Sequence, residues 1–206
     1  MGLLNTLLGR TKPVQANLDS LFGLPSATIT LQSAAGLSTS GRAGVCYKPP
    51  TGQSFTDMQA EVMRLLTMDG GGTLRTAQDA YGYHWVVVEN PDVEALVSQV
   101  HLVNSSLSDA GWGSQLLCSV FGLAPVPDAG PVSDSGATVP GPGTVLPSTS
   151  YLVYLFKRGT FYPFVPDGKE HRDTGEELKL KSLVADDLAV EPELDRWFPL
   201  WDLPVG

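Results

Sequence analysis

Two nearly continuous apolar runs constrain the fold of this chain more than any other feature of its sequence. They read SQLLCSVFGL at 114–123 and YLVYLFK at 151–157. A strand with one face in water alternates apolar and polar residues, so an unbroken run predicts a strand that is covered on both faces or packed against a helix. We therefore expect two strands in the middle of a sheet.

Hairpin signals surround these runs and predict an antiparallel sheet. TLRTAQDA and YHWVVVEN flank a turn at Tyr81-Gly82, and a two-residue turn at Arg158-Gly159 joins YLVYLFK to TFYPF. A further strand, GRAGVCYK, ends at Pro49-Pro50 because proline donates no ladder hydrogen bond. A parallel sheet would need a helix after nearly every strand. We predict an α+β fold with an antiparallel sheet of about five to six strands and helices mainly on one face.

Apolar residues at helical spacing predict the helices. One follows Asn90-Pro91, with Asn90 as its cap and the apolar stripe Val93, Leu96, Val97, Val100, Val103 and Leu107. Another starts near Ser54 and ends at Gly70-Gly71-Gly72, and its apolar positions are Phe55, Met58, Val62, Leu65 and Leu66. A third covers about Glu176 to Val184, capped at Asp173.

Two segments near the start and one near the end are less regular. NLDSLFGL after Pro13 predicts a short helix with Asn17 as its cap, and PSATITLQSAAGL fits either a helix or a strand, of which we favour the helix. Near the end, ELDRWFPLW brings Trp197, Phe198 and Trp201, which we expect to fold back onto the body of the domain.

The first twelve residues predict an amphipathic helix outside the main domain. Leu3, Leu4, Leu7 and Leu8 fall on one side of a helix, and Arg10 follows them. We interpret residues 1–12 as a docking helix for a partner or a membrane surface, and residues 13–206 as a single α+β domain. The Pro/Gly-rich stretch at about 124–149 interrupts that domain as a disordered loop.

Charge and cysteine content narrow the function. The net charge of −9 without a basic patch argues against nucleic-acid binding. Cys46 and Cys118 lie in apolar strand-like runs, which predicts buried, reduced thiols and a cytoplasmic location. No apolar stretch approaches the roughly 20 residues of a membrane-spanning helix.

Two segments are candidates for chemistry. Asp167, Glu170, His171 and Asp173 are close enough in sequence to hold a cation loosely or to serve a hydrolase, although a polar turn before a capped helix explains them better. His84, His101 and His171 show no metal-ligand spacing, so no metal or cofactor is predicted.

The second candidate is RGTFYPF, in which an arginine lies beside aromatic residues. Arg158, Phe161, Tyr162 and Phe164 could recognise a planar ligand or form an interaction surface, because guanidinium groups stack on rings. Hairpin formation and core packing are the competing explanations.

Several segments together resemble PspAB, a family of PspA-associated proteins in phage-shock-type envelope-stress systems. The resemblance is carried by MGLLNTLLGRTKPV, LDSLFGLPSATITLQSA, AGVCYKP, NSSLSDAGWGSQLLCS, YLVYLFKRGTFYPF and ELDRWFPLW. It covers the chain apart from about 124–149, where the Pro/Gly-rich insertion is longer than in the family. It implies a cytoplasmic accessory protein close to PspA, a coiled-coil protein that remodels stressed membranes. It implies no reaction and no catalytic residues.

Three functional hypotheses follow. The first is a non-enzymatic adaptor that binds PspA or another membrane-stress protein. The second is a peripheral membrane binder that uses residues 1–12, with weak affinity and a location at the inner face of the membrane. The third is a hydrolase or metal-dependent enzyme built on the Asp167–Asp173 loop.

Overall fold

A computed structural model describes residues 16–48, 60, 63–64, 72–126 and 149–206. The described part contains the strands β1 (Leu37–Tyr47), β2 (Thr73–Gln78), β3 (His84–Glu89), β4 (Leu116–Pro125), β5 (Ser150–Leu155) and β6 (Thr160–Phe164). Its α-helices are α1 (Leu24–Ala35), α2 (Val93–Leu107) and α3 (Thr174–Val184). None of its helices is long and apolar enough to cross a membrane.

The six strands form one antiparallel sheet in the order β2-β3-β1-β4-β5-β6. This arrangement confirms the predicted α+β class and its antiparallel sheet. The two apolar runs form β4 and β5, which are neighbours inside the sheet, as predicted. They are apolar on both sides because both faces of the sheet are covered.

The two faces of the sheet carry separate cores. All three α-helices pack on one face, where residues such as Leu31, Val100 and Leu180 form the helix-side core with Val45 and Phe121. On the opposite face, Trp197 and Val205 of the C-terminal tail (residues 189–206) pack on strand residues to form the tail-side core. Residues of the strands other than the edge strand β2 therefore alternate between two buried environments.

The stripe predicted on the second helix is confirmed, with Leu96, Val97, Val100, Val103 and Leu107 buried in the helix-side core. The predicted cap was wrong by two residues. Asp92, not Asn90, caps α2 by accepting a hydrogen bond from Ala95 N at 2.8 Å. The Asn90 side chain instead accepts from Asp92 N at 3.0 Å, so it fixes the turn before the helix.

The other helix predictions hold with changes at their ends. The ambiguous segment forms α1, which ends at Ala35 and is capped by Gly36 in the left-handed conformation (φ 65°). β1 starts directly afterwards at Leu37, earlier than predicted. Residues Leu18–Gly23 form a 3-10 helix whose Asn17 makes no side-chain cap hydrogen bond. Asp173 caps α3 as predicted, by accepting from Glu176 N at 2.9 Å.

Two connections differ from the sequence analysis. The β5–β6 turn covers four residues, 156–159, and not two, although Gly159 does take the predicted positive φ (70°). β4 extends to Pro125, so it overlaps the start of the predicted insertion. Most of that insertion and of the predicted helix after Ser54 lie outside the described residues; Ala60, Met63 and Arg64 of that helix are helical.

Candidate functional site

A large apolar groove lies on the tail side of the sheet. It has a volume of about 800 Å³ and is open to solvent. Its floor includes Cys46, Trp85 and Cys118, which come from three adjacent strands. Small-molecule sites are typically concave, mostly apolar and of this size, so the groove is the principal candidate site in the described part of the chain.

One wall of the groove is the turn between β2 and β3. Tyr81 and Tyr83 stand on it, and their side chains are 58% and 38% exposed. Asp79 organises this turn because its carboxylate accepts hydrogen bonds from Tyr81 N at 3.0 Å and Tyr83 N at 2.9 Å. The same carboxylate accepts from Trp85 Nε1 at 2.9 Å, so it joins the wall to the floor.

The other wall comes from the C-terminal tail. It consists of Phe198, Pro199, Leu200, Trp201 and Leu203. Trp201 packs edge-on against Phe164 with ring centroids 5.3 Å apart, while the Phe198 side chain is 58% exposed. The tail thus gives the groove a fixed wall with an exposed aromatic side chain on it.

A buried hydrogen bond fixes the tail wall to the sheet. Tyr162 donates its hydroxyl hydrogen to the carbonyl oxygen of Phe198 at 2.8 Å. Burial raises the pKa of Tyr162 far above its ordinary value, so this hydroxyl stays protonated and remains a donor. Its ring stacks on Trp197 with centroids 5.9 Å apart.

Two buried carboxylates hold the tail at its start. Glu191 is fully buried and accepts hydrogen bonds from Arg158 Nε at 2.6 Å and Thr160 Oγ1 at 2.7 Å. Glu177 in α3 accepts from both Val165 N and Arg172 Nε, and Arg172 Nη1 donates to the carbonyl oxygen of Trp197 at 2.6 Å. Glu191 therefore links the tail directly to the β5–β6 turn and β6, and Glu177 holds Arg172, which binds the tail.

The end of the tail is tied to β1 and to the edge strand β2. Arg42 Nη1 donates to the carbonyl oxygen of Gly206 at 2.7 Å, and Arg75 Nη2 donates to that of Pro204 at 2.5 Å. Because the tail is anchored at both ends, the shape of the groove is set by the folded domain itself.

The rim of the groove carries both signs of charge. Arg158 and Arg196 lie on it, but each is paired with the tail residues Glu191 and Glu193. Lys157 also lies on the rim, and no acidic side chain of the described residues pairs with it. Lys157 is therefore a cation that remains available to a bound partner.

The structure separates the four residues singled out in RGTFYPF. Arg158 and Tyr162 line the groove. Phe161 is buried in the helix-side core, where its ring lies 5.2 Å from that of Tyr154, and Phe164 is buried in the tail-side core. Both phenylalanines are thus buried, whereas Arg158 and Tyr162 lie at the groove, and the interaction surface of this segment stays a prediction.

The residues of the predicted acidic loop, Asp167–Asp173, make separate contacts and do not converge on one site. Asp173 caps α3, Glu170 lies on the groove rim, and the backbone of Asp167 donates to the carbonyl oxygen of His171 at 2.8 Å. Within the described ranges, no three His, Cys, Asp or Glu side chains form a group suited to a metal ion. Leu3, Leu4, Leu7, Leu8 and Arg10 lie outside the described residues.

Sequence reasoning missed most of the groove. The sequence analysis treated Trp85, Tyr81 and Tyr83 only as strand and turn residues. The signal that could have identified them is the high density of aromatic residues at 81–85, together with the tryptophans of the C-terminal tail. Aromatic residues are enriched in protein interfaces. What the sequence did not provide is the strand order, which makes β3, β1 and β4 neighbours, and the path of the tail across that face of the sheet.

The sequence model of a family described as PspA associated protein B, PspAB, matches residues 1–205. No curated protein and no solved structure matches the chain.

Proposed function

The chain belongs to the PspAB family of PspA associated proteins, and from this membership we propose that it is a non-enzymatic accessory protein that binds PspA through the apolar groove. The observation that carries the proposal is the groove itself, about 800 Å³ of mostly apolar space with exposed aromatic side chains on both walls. The family description supports PspA as the partner, and the apolar, aromatic walls support the groove as the docking surface.

The walls of the groove have the composition of a protein interface. Tyr81 and Phe198 are both 58% exposed, although large aromatic side chains gain most from burial. Binding energy at interfaces concentrates in a few aromatic and arginine side chains around a desolvated pocket. Covering these two rings would therefore contribute strongly to association.

We infer that the bound element is an amphipathic helix of PspA with an acidic residue beside its apolar stripe. A helix that lays its apolar face in a groove is a common recognition mode, and it needs no strand edge. Lys157 on the rim would pair with the acidic residue, since the neighbouring arginines are already paired within the domain. The protein would work in the cytoplasm, at the inner face of the membrane where its partner acts.

A binding measurement with two matched variants tests this proposal. Phe198→Ser removes an exposed ring from the groove wall, and Ile29→Ser removes a 69% exposed side chain from α1 on the opposite side of the sheet. Both should fold as the wild type, which thermal unfolding would check. In titrations with purified PspA, Phe198→Ser should weaken association by about tenfold or more, and Ile29→Ser should leave it unchanged.

Two results would contradict the proposal. One is the absence of PspA binding by the wild-type protein at micromolar concentration. The other is the reverse order of effects, with Ile29→Ser weakening association and Phe198→Ser leaving it unchanged, because this would locate the interface on the helix layer.

A further inference from the structure

The two cysteines of the chain are direct neighbours across two strands. Cys46 of β1 and Cys118 of β4 are Cα partners in the antiparallel register. Residues opposite each other in such a pair point to the same face, with Cα atoms about 4.5 or 5.5 Å apart. Disulfides join Cα atoms about 4.4–6.8 Å apart, so this register satisfies the backbone requirement for a bond between them.

The two side chains lie on the same face of the sheet, as the register requires. Both cysteines are free thiols, and both belong to the tail-side core. The ladder is irregular next to them, since the pairing shifts between Cys46 and Tyr47 where β4 contains the extra residue Leu117. A bulge bends its strand and disrupts the ladder locally, so the pairing of β4 with β1 is irregular directly beside Cys118.

The pair is also reachable. Both cysteines lie on the floor of the groove, where Cys118 retains 7% of its surface exposure and Cys46 retains 3%. A cavity of about 800 Å³ that opens to solvent admits a molecule as small as a hydroperoxide. The thiols are thus covered by neighbouring side chains but face a path from solvent.

We propose that Cys46 and Cys118 are an oxidation-sensitive dithiol that closes to a cross-strand disulfide when a hydroperoxide enters the groove. In the first step the sulfur of Cys118 attacks the peroxide, the O–O bond breaks, and a sulfenic acid and an alcohol or water form. In the second step the sulfur of Cys46 attacks the sulfenic sulfur, the S–S bond forms, and water leaves. The two thiols lose two electrons and two protons, and the peroxide is reduced.

The assignment of the first step to Cys118 follows from exposure, because Cys118 is the more exposed of the two thiols. The adjacent Cys118 thiol, together with burial, raises the pKa of Cys46 above its ordinary value. Cys46 is thus suited to the second, resolving step, in which the attacked sulfur already lies against it.

Mass spectrometry of the reduced, full-length protein tests the proposal without any variant. After exposure to hydrogen peroxide in native buffer, the intact mass should fall by two hydrogens, and a digest should contain the peptides of Cys46 and Cys118 joined to each other. Dithiothreitol should restore the mass. Disulfide formation should be slower when peroxide is added in guanidinium, because unfolding removes the register that brings the thiols together.

Cys46→Ala and Cys118→Ala serve as controls, since neither can form the internal bond and neither should lose two hydrogens. The proposal is overturned if the wild-type protein keeps two thiols that react after denaturation. It is also overturned if each sulfur gains oxygen separately, or if the bond forms between two chains. The chemistry is independent of PspA binding, so a failure of either proposal leaves the other standing.

Discussion

Arg158 and Glu191 join the β5–β6 turn to the C-terminal tail through a hydrogen bond of 2.6 Å between Arg158 Nε and Glu191 Oε2. The carboxylate is fully buried, whereas the Arg158 side chain is 37% exposed. Glu191 Oε1 also accepts from Glu193 N at 3.3 Å, so both of its oxygens face donors. The contact fixes the start of the tail that forms one wall of the groove.

We expect Glu191→Gln to lower the free energy of unfolding by about 2 kcal/mol, because the amide turns two donors toward groups that are themselves donors. Urea unfolding measures this change. Glu193→Gln is the matched control, since Glu193 is 55% exposed and also pairs with Arg158 and Arg196. Glu193→Gln should lower the free energy of unfolding by less than about 0.5 kcal/mol. Equal losses of unfolding free energy in the two variants would mean that burial of the Glu191 carboxylate does not strengthen its contribution to stability.

The stability of the domain should fall in acid partly because of the same carboxylate. Burial raises the pKa of Glu191, but hydrogen bonds from Thr160 and Arg158 outweigh it, and the pKa lies below the ordinary value of 4.5. A group with a lowered folded-state pKa stabilises the fold above its unfolded pKa and stops doing so as the pH falls through the folded pKa.

The free energy of unfolding of the wild type should therefore decrease as the pH falls below about 4.5, and the decrease should be shallower in Glu191→Gln. Urea unfolding between pH 6 and 3, at intervals of roughly half a pH unit, would measure how the free energy of unfolding of each protein depends on pH. Parallel slopes would show that Glu191 contributes nothing to the acid sensitivity.

The fold could be predicted from the sequence to the extent that each element has its own periodic signal. The stripe of α2 and the unbroken apolar runs of β4 and β5 are local patterns, and the structure confirms them. The cap of α2 was misplaced because Asn90 and Asp92 both suit a helix start. The structure resolves this choice through the backbone, since the Asn90 side chain binds Asp92 N and the Asp92 side chain binds Ala95 N.

The groove could not be predicted because it depends on contacts between residues far apart in the chain. Tyr162 and Phe198 are 36 residues apart, and their hydrogen bond forms only when the tail crosses the sheet. The cysteine pair is similar, since both thiols were expected to be buried but their adjacency follows from the pairing of β1 with β4. Sequence patterns fix which face a residue occupies more readily than which strand lies beside it.

Asp79 should be the residue on which the turn wall of the groove depends. Asp79→Ala removes three hydrogen bonds, to Tyr81 N, Tyr83 N and Trp85 Nε1, and we expect a loss of about 1–3 kcal/mol in the free energy of unfolding. Asp79→Asn is the graded control, because its remaining oxygen can keep the two backbone bonds while the bond to Trp85 is lost. The indole N–H resonance of Trp85 in an NMR spectrum should shift in both variants, and an unchanged resonance would contradict the contact.

Residues 1–12 remain a predicted docking element, and their removal tests whether they add to the groove. The described chain begins at Ala16, and Asn17 lies against Gly159, which adjoins the rim residues Lys157 and Arg158. We expect a protein that starts at residue 13 to keep the wild-type melting temperature and to bind PspA about tenfold more weakly. A tenfold change in affinity corresponds to about 1.4 kcal/mol of lost binding free energy.

Asn5→Ser in the full chain is the matched control, because it alters the polar side of the predicted helix and should leave binding unchanged. Unchanged affinity after the deletion would exclude residues 1–12 from the interface and leave the groove as the proposed surface, whereas a tighter complex would mean that this segment competes with PspA for the groove.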